Sequence, residues 1–148
     1  MSIGRLDSAD GVRSRGSLAA LLAAGLTAAV DVFYVLLIGA QSDTGGADSR
    51  VVFVAGCLGA AAVCAAVGAV LDDGPVRVVL LAVAAFTLFI WTLLGIFSIG
   101  ILLLVPAILA LLATGRAASE VRRGSGPALV GCTALAVLAI VALGLMNT

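Results

Sequence analysis

Long apolar runs separated by charged punctuation dominate the chain. A transmembrane helix needs about 20 apolar residues to cross a hydrocarbon core of about 30 Å. On that measure Ser17–Ala40 reads as a first span and Val51–Leu71 as a second. The next run, Val76–Ala113, would extend about 57 Å as one helix at 1.5 Å per residue, nearly twice the core thickness, so it must fold back. The place to fold is GIFSIG, Gly95–Gly100, where two glycines and Ser98 loosen the helix. This yields a third span over Val76–Leu94 and a fourth over Ile101–Ala113 with part of the turn, about 97–113. A fifth runs from Pro127 to Met146, with Pro127 suited to a first helical turn. The predicted fold is all-α: a polytopic bundle of five transmembrane helices forming one domain over 17–148, preceded by a short cytoplasmic tail, 1–16.

Five spans place the two ends on opposite sides, and the arginines decide which is which. Arg5, Arg13, Arg15, Arg77, Arg116, Arg122 and Arg123 all fall on one side, and only Arg50 falls on the other, beside Asp43 and Asp48. The positive-inside rule then sets the N-terminus in the cytoplasm and the C-terminus outside. An unbroken third run would put Arg77 and the 116–123 cluster on opposite sides, which supports the fold-back at GIFSIG. A cleavable signal peptide fits poorly, because its apolar region runs to about 7–15 residues and this one is longer, ending in IGAQS. Neither end has a lipidation signature, since Ser2 stands where myristoylation needs glycine.

Composition agrees with the pattern. Of 148 residues, 63% are hydrophobic and 11% charged, where soluble domains have about 25% charged; mean hydropathy is +1.29. The net charge is zero, so no basic field suggests nucleic acid. The chain has no histidine, which removes the commonest metal ligand and general base and makes an integral membrane enzyme the third reading. No metal or cofactor is expected. The short connections leave no room for a domain outside the membrane. In DDGPVR the acids Asp72 and Asp73 are expected to cap the third span while Arg77 snorkels to the headgroups. Gln41–Arg50 lacks calcium-loop spacing and reads as a flexible connection. Thr114–Gly126 is expected to rest on anionic headgroups.

One residue breaks the apolar rule. Asp31, in GLTAAVDVFYVL, lies just to the outer side of the midplane of the first span, about 21 Å from Ser17 and 13 Å from Ala40 along the axis. Insertion scales charge about 2.5–3.5 kcal/mol for an aspartate at helix centre, which the surrounding Leu, Val and Phe offset at about 0.3–0.6 each. No span holds a deep cation to pair with it, so it is expected to be protonated unless water or another subunit reaches it. Ala20, Ala24, Thr27 and Ala28 precede it on nearly the same face and Tyr34 follows it, a pattern of small and polar residues that marks a helix interface. Asp31 either fixes packing by donating to a carbonyl, to Thr27, Thr87 or Thr133, or it acts as a protonation site or as the contact for a cation on a partner.

The remaining candidates concern packing. Gly56, Ala60, Cys64 and Gly68 form a small-residue ladder at four-residue intervals in the second span, suited to close approach inside the bundle or between protomers. Cys57 and Cys64 stand about 10.5 Å apart along the axis, too far for a disulfide, and Cys64 and Cys132 read as small packing residues. Pro106 is expected to bend the fourth span. Trp91 and Tyr34 are expected as interfacial anchors and not as an aromatic cage.

The Arg-only basic set, the Ala/Val/Leu/Gly spans and the hairpin LLGIFSIGILLLVPAILALLA, Leu93–Ala113, resemble small uncharacterised integral membrane proteins of actinobacterial type. The resemblance brings no activity with it and implies a bacterial cell membrane. Small multidrug transporters also place one carboxylate in their first helix, but they have four helices and more aromatic residues, so the likeness is an analogy. The expected function is a non-enzymatic accessory or structural subunit of the plasma membrane, touching lipid and either another membrane protein or its own copies. A small proton-linked transporter or channel acting through Asp31 is the alternative.

Overall fold

The computed structural model describes residues 6–41, 49–71, 74–95, 100–121 and 126–147, and these residues form five α-helices. They are α1 (Leu6–Gln41), α2 (Ser49–Val70), α3 (Pro75–Leu94), α4 (Gly100–Glu120) and α5 (Gly126–Asn147). All five contain stretches long and apolar enough to cross a membrane. This is the all-α five-helix bundle that the apolar pattern predicts.

Helices α1 to α4 close a ring in which each packs on its chain neighbours and α1 also packs on α4. α5 lies outside the ring, mainly against α3. α3 therefore has three neighbours and is the most enclosed helix, with more than half of its most apolar stretch buried. Water cannot drive such helices together in lipid, where association depends on close packing and small residues favour it. The core is accordingly rich in alanine. Ala23 and Ala24 of α1, Ala61 and Ala65 of α2, Ala84 and Ala85 of α3, and Ala107 and Ala110 of α4 pack around Leu58, Leu88 and Leu103. A second cluster of Ala20, Ala69, Val78, Leu81, Ala113 and Ala117 closes the end of the ring nearer the start of α3.

Buried hydroxyls are satisfied locally. Thr27, Thr92, Thr114 and Thr133 each donate to the carbonyl four residues earlier, at 2.7–2.8 Å. Such back-bonding spares these four hydroxyls an unpaired proton in an apolar medium.

Several boundaries differ from the sequence expectation. The helix of α1 begins at Leu6 and takes in most of the expected tail. α4 runs seven residues past Ala113, because Thr114 bonds its hydroxyl to Ala110 and Ala117 continues the buried face into the end cluster. The segment 114–120 is thus helix with a buried side. Pro106 sits inside α4 and is fully buried, and the helix continues through it. At the start of α3 the capping position is taken by Gly74 without a side-chain bond, and Pro75 opens the helix. Arg77 is only 5% exposed, packed into the bundle instead of reaching out to headgroups. Asp72, Asp73, Ser98, Arg5, Arg122, Arg123 and the stretch 42–48 lie outside the described residues.

Candidate functional site

Asp31 sits at the seam between α1 and α2. The seam is narrow because α2 presents Gly59 there: a Cβ on that glycine would stand 3.5 Å from Asp31 Oδ2. The other carboxyl oxygen, Oδ1, is buried and has no hydrogen-bond partner. The hydroxyls expected to receive it do not reach Oδ1; Thr27 and Thr133 donate to the Ala23 and Leu129 carbonyls of their own helices. Thr87 lines a groove between α2, α3 and α5, together with Cys57 and Val137. The packing partner expected within this chain is therefore missing among the described residues, and an intramembrane carboxyl without one is a functional candidate.

The small-residue ladder divides between two roles. Gly68 is buried under Leu81 of α3, whose Cγ would stand 3.0 Å from an added Cβ, so α2 and α3 meet there at glycine distance. Gly56 and Ala60 are exposed, and an added Cβ at Gly56 would meet nothing within 4 Å. Cys64 is half-buried, and the three cysteines are free thiols. The ring-facing side of α2 is instead Leu58, Ala61, Ala65, Gly68 and Ala69, rotated from the ladder. Gly56 thus remains open on the outer surface of the helix that borders Asp31, while Ala60, also exposed, lines the groove between α2, α3 and α5.

The hairpin glycines close the turn between α3 and α4. Gly100 donates its N–H to the Gly95 carbonyl at 2.6 Å. A Cβ on Gly100 would overlap the carbonyl oxygens of Gly95 and Thr92, so only glycine fits. At this end of the ring a cleft of about 150 Å³ opens, lined by Tyr34 of α1, Val54 and Leu58 of α2, Trp91, Leu94 and Gly95 of α3, and Gly100 and Leu103 of α4. Trp91 is 8% exposed and meets Phe53 edge-on, with ring centroids 6.3 Å apart and planes at 66°. Its indole N–H is buried beside the Cys57 thiol without a hydrogen bond of standard geometry. Trp91 is therefore a wall of the bundle and not a lipid-facing anchor, a placement that depends on which helices are adjacent and has no signature in the spacing.

Among the described residues no group of three or more Cys, Asp or Glu side chains is placed to hold a metal ion. The fold and the seam define a multi-pass helical membrane protein with a half-buried carboxyl, Asp31, at the seam of two apolar helices. Set against known protein families, curated proteins and solved structures, the chain matches none.

Proposed function

We propose that the protein is a non-enzymatic accessory subunit of a membrane assembly and that the α1–α2 face around Asp31 is its contact surface. The carrying observation is the carboxyl itself: Oδ1 is buried and without a hydrogen-bond partner, while Gly56 on the neighbouring helix is exposed with open space above it. A partner helix with a polar or cationic residue at that depth would supply the missing bond, and the glycine would let its backbone approach.

A proton-linked route through Asp31 would need polar groups on both sides of it. The hydrophobic core of the ring is alanine, leucine and one tryptophan with valines of α5, and of the buried polar side chains Thr27, Thr92, Thr114 and Thr133 each bond a carbonyl of their own helix, which favours the subunit reading. The arginine distribution supports a cytoplasmic N-terminus and an external C-terminus. It agrees with residence in a bacterial cell membrane.

The test is native mass spectrometry of the protein extracted in mild detergent from its own membrane, wild type beside Asp31→Asn and Gly56→Leu. A second polypeptide carried by the wild type and lost from both variants is the expected result. The chain alone, unchanged in either variant, would sink the reading and make proton flux in reconstituted vesicles the next question.

A further inference from the structure

The outer cleft brings together the only tryptophan and the only tyrosine of the chain. They come from α1 and α3, and all four helices of the ring contribute to the lining. Among the described residues no charged side chain lines it, and the Tyr34 hydroxyl and the Trp91 indole N–H are the only polar side-chain groups of the lining. The floor is tight, with Leu58 at 1% and Leu103 at 3% exposure, so the cleft ends inside the bundle and does not continue as a passage. Gly95 and Gly100 line it without side chains to fill it.

We propose that this cleft is a binding site for a small uncharged molecule of one-ring size that carries a single hydrogen-bonding group. Size sets the first limit: an apolar cavity of about 150 Å³ takes one benzene-sized ring. Charge sets the second, because an anion entering an apolar cleft without a cationic side chain among the described lining residues loses its hydration without compensation. The Trp91 ring, held by Phe53, offers a flat wall for an aromatic ligand to pack on. Tyr34, the one hydroxyl among the described lining residues, gives the ligand its polar contact and selects a phenol or alcohol over a hydrocarbon. The cleft borders the Asp31 seam, since Tyr34 stands close enough to Asp31 to feel its charge, but its floor and far wall come from α3 and α4.

The protein carries its own reporter, because Trp91 is the sole indole. The experiment titrates the full chain in detergent with para-bromophenol, a heavy-atom quencher that is neutral at about pH 6, and follows Trp91 fluorescence. Saturable one-to-one quenching is expected above the linear background from probe dissolved in micelles. Para-bromobenzoate, an anion at that pH, should show the background alone. Val54→Phe, which adds a ring to the wall, should abolish the saturable part, and Tyr34→Phe should weaken it about fivefold, the worth of one hydrogen bond. Purely linear quenching of the wild type overturns the proposal. So does saturation that survives Val54→Phe in a variant with wild-type circular dichroism. If that variant does not fold, Tyr34→Phe decides, and unchanged affinity there overturns the site. Saturable quenching by a chain-brominated phospholipid that para-bromophenol fails to displace would overturn it in favour of a lipid tail.

Discussion

A carboxyl group in lipid is tolerated only if something offsets its desolvation, and among the described residues nothing bonds Asp31 Oδ1, which is buried. Removing the carboxyl thus breaks no hydrogen bond at that atom. Asp31→Leu is therefore expected to raise the thermal unfolding midpoint in detergent, since leucine removes a cost of about 2.5–3.5 kcal/mol at helix centre. The same substitution should abolish partner capture. A midpoint lowered by Asp31→Leu would show that the carboxyl holds the bundle together, contrary to the seam geometry. The glycines separate in a similar way. Gly68→Val forces a branched side chain against Leu81 and should cost about 1–3 kcal/mol, the usual penalty of overpacking. Gly56→Ala meets open space and should leave stability equal or up to about 1 kcal/mol higher; unfolding of the two variants in a denaturing detergent series reads the contrast. Asp31 could be singled out from the sequence because a charge among apolar residues is a local anomaly. Its missing partner could not, because a hydrogen bond depends on what lies across the seam.

At the scale of the element, helices were legible wherever an apolar run had the right length, and their ends were legible only in part. The hairpin between α3 and α4 was placed from the length argument and two glycines, and Gly100 proves to be sterically required. Gly100→Ala drives a methyl group into the Gly95 and Thr92 carbonyls. It is expected to open the turn and lower the unfolding midpoint well below that of a control such as Gly115→Ala, where nothing lies within 4 Å. The extension of α4 was missed because Arg116 and Gly115 read as the end of an apolar run. Helix continuity there follows from the buried side of the turn, Thr114 and Ala117, which a hydropathy window dilutes with its polar neighbours. The α2 ladder shows the converse error. A four-residue repeat drifts around a helix of 3.6 residues per turn, so Gly68 faces α3 and Gly56 faces outward.

For the whole molecule, sidedness is the most direct prediction. An alkaline phosphatase fused after Thr148 should be active, because it is carried across the membrane, whereas one inserted between α4 and α5 should be inactive; the opposite pair of results would reverse the orientation. The number of helices, the fold-back at Gly95–Gly100 and the isolation of Asp31 were determined by the sequence alone. They rest on the length of apolar runs against a bilayer of fixed thickness and on the cost of charge in lipid, both of which act along the chain. The closure of α1 to α4 into a ring, the position of α5 outside it, the open face of Gly56 and the meeting of Tyr34 with Trp91 were decided by tertiary structure. Every span in this protein is apolar around most of its circumference, so hydropathy scarcely distinguishes the side that meets lipid from the side that meets another helix. The choice falls to the fit of alanine, glycine and leucine surfaces across each contact, and that fit exists only once the helices are side by side.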